Sequence, residues 1–190
     1  ALLDLHPLTE IAPNVAAHTT RVQQLCDRFH TLKFEAKNET WENYSSRIPE
    51  LGAIVEAFVE GEEKRSPSVQ GRITPTGEVE ILSTHDQILG GPNGQIYLGC
   101  RFPADEAYRL QLQTLGEQIG RNLAAKGVIE RFGVDFIAVR RPNAPQETWD
   151  LQAIEINLRK GGTTHPFMTL KFLTNGRYDL SSGLFYSQHG

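Results

Sequence analysis

Trp149-Asp150-Leu151-Gln152-Ala153-Ile154-Glu155-Ile156-Asn157-Leu158-Arg159-Lys160-Gly161-Gly162-Thr163-Thr164 alternates apolar and polar residues and then runs into two glycines. A period of two predicts a β-strand, with Glu155 and Asn157 on one face and Ile154, Ile156 and Leu158 on the other. One face is apolar and the other offers oxygens. A carboxylate beside an amide carbonyl supplies the hard oxygen ligands that Mg²⁺ takes, and Arg159 with Lys160 just beyond could hold the phosphates such a metal bridges. Gly161 and Gly162 let backbone N–H groups turn towards an anion. The same pattern fits a strand with a solvated polar face entering a turn, and spacing alone does not separate the two readings.

Upstream, Gly133-Val134-Asp135-Phe136-Ile137-Ala138-Val139-Arg140 reads as a second strand, joined to the first by a loop from Pro142 to Glu147. Pairing the two would bring Asp135 near Glu155 and Asn157. Before it, Leu112, Leu115, Ile119 and Leu123 recur at helical spacing along one face. Ser68 to Thr74 and Glu78 to Thr84 are strand-like runs separated by Pro75-Thr76-Gly77, which signals a hairpin and therefore an antiparallel sheet. A further strand runs from about Gln95 to Phe102. In the first third, Val22, Leu25, Cys26 and Phe29 predict one packed face of a helix from Val15 to Phe29, after an extended start through Pro7 and Pro13. Leu32 to Ala36 alternates like a short strand. Asn38 to Glu42 reads as the capped start of a helix closed by Pro49 and Gly52, and Ala53 to Val59, rich in β-branched and aromatic residues, reads as a strand ending in a turn. Helix, strands, long helix, strands is an α+β order.

The 190 residues carry a net charge of −4, with 39% apolar and 22% charged residues. A soluble globular chain of this balance has no basic field for a phosphate backbone, so nucleic acid is not an expected partner. No apolar run approaches the roughly 20 residues needed to cross a bilayer, so a membrane is not expected either. Cys26 and Cys100 are lone cysteines without CxxC spacing, which argues against a disulfide framework or structural zinc and for a cytoplasmic location.

A strand ending in Glu56 with Glu63 seven residues on, then Gly133-Val134-Asp135-Phe136, then Glu155-Ile156-Asn157, resembles the ATP-grasp family of ligases. Val55 to Val69, Ser83 to Gly91 and Tyr97-Leu98-Gly99-Cys100-Arg101-Phe102 resemble the pheganomycin-type peptide ligases within it. The likeness covers most of residues 30 to 175, and three motifs in order carry more weight than any one. It implies an α+β fold, the C-terminal portion of an ATP-grasp domain with a mainly antiparallel sheet. Residues 1–55 would be the remainder of the lid subdomain with its connecting helices, and residues 56–190 the C-terminal subdomain with nucleotide hinge and metal site.

The resemblance further implies ATP and Mg²⁺ as cofactors. Asp135, Glu155 and Asn157 match the metal ligands; Glu56 and the backbone of Ala57, Phe58 and Val59 match the hinge that reads adenine; Glu63 matches the acid that binds ribose. Arg159 sits where the family places a cation facing the reacting phosphate and carboxylate, and Gly161, Gly162 and Thr163 would line the acceptor side and carry its selectivity. The implied activity is that of an ATP-dependent carboxylate–amine ligase: a small-molecule or peptide carboxylate becomes an acyl phosphate, and an amine converts it to an amide. A non-catalytic nucleotide-binding or interaction module of the same ancestry, or an ATP-grasp-like phosphotransferase, are the alternative expectations. Phosphate-gripping lysines and a glycine-rich lid loop would lie upstream in the same polypeptide, so the chain is expected to be a fragment.

Other residues invite chemistry less well. Glu56 and Glu63 also read as solvated acids around a turn. Arg72 and Arg101 on predicted strands fit structural roles. His6, His18 and His30 repeat every twelve residues, which rotates a helix by about 120° beyond whole turns, so they share no face. His85 beside Asp86 reads as a polar strand end near a glycine loop, Gly90-Gly91-Pro92-Asn93-Gly94 reads as a turn rather than a phosphate loop, and His165 is a candidate base for the incoming amine.

Overall fold

A computed structural model describes residues 15–34, 36–57, 59–91, 96–141 and 148–188. The chain divides into two compact units, Ala1–Ala57 and Phe58–Gly190.

The first unit holds two helices, α1 (Val15–Arg28) and α2 (Trp41–Leu51), with a 3₁₀ turn at Phe29–Thr31 after α1. The Thr40 hydroxyl accepts from the Asn43 N–H at 3.2 Å and caps α2, satisfying one of the donors a helix start leaves orphaned. Pro49 lies inside α2 rather than ending it. The stop is Gly52, whose φ of 72° suits a residue without a Cβ and whose N–H bonds the Ile48 carbonyl. Phe29 stacks on Trp41 with ring centroids 4.6 Å apart, which half-buries Leu25 and Phe29 but leaves Val22 and Cys26 exposed. The expected packed face of α1 is therefore only partly formed, because the aromatic contact covers its C-terminal end alone. The strand expected at Leu32 to Ala36 reduces to a single bridge residue, Lys33. Ala53 to Ala57 form no strand and are exposed. A β-branched run needs a neighbour to pair with, and no described strand of this unit supplies one. The N-terminal extended start lies outside the described residues.

The second unit has the expected α+β arrangement. Six strands, β1 (Glu63–Arg65), β2 (Pro67–Ile73), β3 (Val79–Gly90), β4 (Ile96–Arg101), β5 (Glu130–Arg140) and β6 (Asp150–Asn157), form one sheet, and every pairing in it is antiparallel. Arg65 opposes Ala138 and Ser68 opposes Asp135, so β1 and β2 follow one edge of β5 in a single register, interrupted at Ser66. The β2–β3 hairpin closes as expected, with Gly77 N–H on the Thr74 carbonyl and Thr74 N–H on the Glu78 carbonyl, both at 2.9 Å. Helix α3 (Arg109–Ala125) packs on β2 and β3. Val69, Ile73, Phe132, Val134 and Phe136 meet Leu112 there in the core. Gly116 allows the close approach, since a Cβ on it would stand 2.7 Å from Val69 Cγ1. Phe132→Ala is expected to cost about 3–5 kcal/mol, read as a shift in the urea midpoint, because it opens a cavity between α3 and the sheet.

Three features of this unit depart from the sequence reading. β3 runs on to Gly90 because Asp86–Gly90 pair with β4, so His85 lies mid-strand and fully buried, not at a strand end. The apolar face of β6 is not covered: Ile154 and Ile156 are each 48% and Leu158 56% exposed, because α3 lies over β2 and β3 and does not reach the β6 edge. After β6 the chain forms α4 (Thr164–Thr174) and a small hairpin, β7 (Arg177–Asp179) with β8 (Leu184–Tyr186), none of which the sequence reading anticipated. Phe167 of α4, Phe185 of β8 and Phe102 close over His85.

Candidate active site

Antiparallel register turns the sequence alternation into a two-row floor. On the face opposite α3, His85, Ser68, Asp135 and Glu155 lie directly across from one another on β3, β2, β5 and β6. One step along, Ser83, Gln70, Gly133 and Asn157 form a parallel row. Gly133 makes room for the Gln70 side chain: a Cβ on it would stand 2.9 Å from Gln70 Nε2. Above this floor lies a cavity of about 240 Å³ lined by Gln70, Gln87, Asp135, Glu155 and Asn157, by Arg159, and by Gly161, Gly162 and Thr163 as the chain enters α4. Tyr97 of β4 completes the wall.

Asp135 is the best-held of these groups. Gln87 Nε2 donates to its Oδ1 at 2.7 Å and Asn157 Nδ2 to its Oδ2 at 3.2 Å. Burial and the Glu155 carboxylate opposite raise Asp135 above the usual carboxylate range, opposed by the Gln87 hydrogen bond and by Arg159. A carboxyl group whose charged form is made costly by burial and by a facing carboxylate suits a cation beside it. Among the described residues no group of three or more His, Cys, Asp and Glu side chains is gathered, so the donor set is two carboxylates and an amide. Asn157 uses its nitrogen on Asp135, which turns Oδ1 into the atom able to face a metal. So few protein oxygens fit Mg²⁺, which keeps waters and shares phosphate oxygens rather than filling a protein cage.

The other sequence candidates fall elsewhere. Glu63, on β1, is bound at 2.8 Å by Arg65 and at 3.2 Å by Arg140. Arg65 in turn lies 4.5 Å over the Trp149 ring and pairs with Asp105 at 2.7 Å. This places Glu63 on the side of the sheet that carries Trp149 and Tyr108, and it is not among the residues lining the cavity. Glu56 and Ala57 are exposed in the first unit, Val59 is half-buried in the second, and Phe58 lies outside the described residues. Arg72 pairs with Glu130 at 3.2 Å, the structural role expected of it. His165 is exposed on α4 and does not line the cavity.

Gln70, Gln87 and Tyr97 escaped the sequence reading. Strand alternation from Val69 puts Gln70 on the open face, but glutamine carries no charge to mark it, and Gln87 became legible only once β3 proved longer than expected. His85 is a buried neutral imidazole, its Nε2 2.8 Å from Ser83 Oγ and its pKa pushed down to about 4 by burial. Because the unfolded chain binds that proton more readily, stability is full above the ordinary histidine pKa and falls as pH drops from about 6.5 towards 4, by about 3 kcal/mol in all. His85→Gln is expected to flatten the melting temperature over this window. A wild-type slope retained in that variant would assign the acid sensitivity to another group.

An antiparallel sheet is backed by a helix on one face and carries acids, an amide and an arginine around a cavity on the other. The family model for the IQCH-like ATP-grasp domain matches residues 11–181. The chain belongs to the ATP-grasp family. It is 40% identical over 136 residues to the L-propargylglycine–L-glutamate ligase of Streptantibioticus cattleyicolor, covering 72% of this chain and 26% of that protein. It is 26% identical over 121 residues to IQ motif-containing protein H of Danio rerio, covering 63% of this chain and 11% of that protein. The chain thus spans about a quarter or less of the curated relatives it matches. Among solved structures, the biotin carboxylase domain of a thermophilic 2-oxoglutarate carboxylase bound to bicarbonate aligns at a TM-score of 0.47 and 18% identity, over 95% of this chain and 41% of that one. No helix among the described residues is long and apolar enough to cross a membrane.

Proposed function

We propose that this chain carries the ATP- and Mg²⁺-binding half of a carboxylate–amine ligase that forms an amide through an acyl phosphate. The observation that carries the reading is the convergence of Asp135, Glu155, Asn157 and Arg159 with the Gly161–Thr163 loop around one cavity. The 40% identity to a ligase joining two amino acids supports it and suggests amino acids or short peptides as substrates; the location that goes with this reading is cytoplasmic.

Asp135, Glu155 and Asn157 would hold Mg²⁺, which supplies charge neutralisation on the phosphates when bound. A substrate carboxylate oxygen attacks the γ-phosphorus as the bond to ADP breaks; the amine then attacks the acyl carbon, phosphate leaves, and the amine loses a proton. Arg159 contributes by facing the transferring phosphoryl group with a planar, permanently charged fork. Gln87 and Asn157 keep Asp135 aimed into the cavity, a fixed orientation that ligand carboxylates need. The entry to α4, with the amides of Gly162 and Thr163 beside the cavity, suits a substrate anion. Glu56 and the backbone of Ala57, Phe58 and Val59 are assigned to adenine. The ribose role that the resemblance implied for Glu63 is not carried over, because Arg65 and Arg140 hold its carboxylate on the other side of the sheet from the cavity. Residues 1–55 are assigned to the lid side and 56–190 to the C-terminal subdomain. ADP release by the full-length enzyme that requires both a carboxylate and an amine tests the reaction; release with a hydroxyl acceptor alone would make it a phosphotransferase.

Gln87→Leu removes the 2.7 Å bond to Asp135 at nearly constant volume. A 10- to 100-fold rise in the Mg²⁺ concentration giving half-maximal turnover is expected, as for other groups that orient metal ligands.

A further inference from the structure

The chemistry above uses the end of the cavity built by β5 and β6 and gives no role to the opposite wall. That wall is aromatic. Tyr97 reaches it from β4, four strands from Glu155 in the sheet. Its ring lies against Gly162: a Cβ on that glycine would stand 2.8 Å from Tyr97 Cε1 and 3.2 Å from Cζ. No side chain fits at residue 162 without displacing the ring, so the loop entering α4 and the tyrosine are matched in shape. Tyr97 nevertheless remains 38% exposed, a large share of an aromatic ring left open beside a polar cavity. Next to it Thr163 is 4% exposed, lines the same cavity, and has its Oγ1 buried without a hydrogen-bond partner among the described residues. A buried hydroxyl without a partner is costly unless a ligand satisfies it.

We propose that Tyr97, seated on Gly162, is the wall that sets the side-chain size of the amine acceptor. The acceptor is an α-amino acid or peptide amino terminus, its side chain laid on the ring face and a polar group of its backbone meeting Thr163 Oγ1. The place of Tyr97 on β4, at the other end of the sheet from the Asp135–Glu155 pair on β5 and β6, leaves the ring to the organic part of a substrate. This inference rests on the ligase reading.

The test uses the full-length enzyme with ATP, Mg²⁺ and free amino acids supplied pairwise as acid and amine, with glycine, L-alanine, L-leucine and L-phenylalanine as amines. Tyr97→Ala should shift the leucine-to-alanine ratio of kcat/KM at least tenfold towards leucine, with the KM for ATP within twofold of wild type. Tyr97→Phe, which keeps the wall, should leave the ratio within twofold. Tyr97→Leu, which preserves apolar bulk on the edge strand, should give an intermediate ratio and guards against a folding defect in the alanine variant. An unchanged ratio in both the alanine and leucine variants, or a rise confined to the KM for ATP, would overturn the proposal while leaving the ligase reading intact. A wild-type enzyme releasing no ADP with any pair would overturn both.

Discussion

Glu155→Gln should reduce Mg²⁺-dependent turnover of the full-length enzyme by about three orders of magnitude or more while making the metal-free protein more stable. Both effects have one cause. Glu155 stands directly across from Asp135 in the ladder, where facing Cα atoms lie about 4.5–5.5 Å apart. In the proposed site the pair holds a divalent cation through its charge, and without the cation that charge opposes folding. Losing one ligand forfeits several kcal/mol of charge stabilisation in the transition state, at about 1.4 kcal/mol per factor of ten. The stability effect has a defined sign. Burial and Glu155 raise the folded pKa of Asp135, so the folded state binds a proton more readily than the unfolded chain. Stability without metal therefore falls as pH rises from the ordinary carboxylate range through the raised value, and levels off above it. Removing the Glu155 charge should shrink that fall, and saturating Mg²⁺ should abolish it in the wild type. Denaturant midpoints from pH 4 to 8, with and without Mg²⁺, measure all three. A variant less stable than wild type at pH 8 without metal would contradict the account.

Arg159→Ala should lower kcat by about 100- to 1000-fold, the usual cost of removing a donor aimed at developing negative charge. Arg159 lines the cavity and lies near enough to Asp135 to lower its pKa, so it shares the space in which the phosphoryl group would move. Arg159→Lys should recover only a small part, because an ammonium keeps the charge but loses the planar two-pronged geometry. The KM for ATP should change little if the guanidinium acts mainly on the transferring group. An unchanged kcat with a weakened KM would instead make Arg159 a ground-state phosphate clamp.

What could be read from the chain divides along physical lines. Period-two alternation placed β2, β5 and β6, and the pairing of the last two brought Asp135, Glu155 and Asn157 onto one face, because strand period and register are local and unambiguous. The face opposite Glu155 was legible as apolar, but its exposure was not, since that depends on how far α3 reaches across the sheet. Ala53 to Ala57 show the limit of propensity: a strand-like composition makes no strand without a neighbour. His85 shows the limit of boundary placement. Five more residues of pairing with β4, Asp86 to Gly90, move it from an expected strand end into the core under Phe102 and Phe167. Gln87 and Tyr97 were missed because neither residue type signals chemistry by itself; each acquires a role only from what lies across the sheet or the loop from it. Glu63 came to notice through its spacing from Glu56, and spacing could not foresee that Arg65 and Arg140 would bind it on the other side of the sheet.

The most direct test is calorimetric titration of ATP into the full-length protein with and without Mg²⁺, with Glu155→Gln and Asn157→Ala in parallel. The account predicts tight binding only when Mg²⁺ is present, with the metal dependence lost in both variants. Equal ATP affinity with and without Mg²⁺, or variants indistinguishable from wild type, would contradict the assignment of Asp135, Glu155 and Asn157 as the metal-binding set.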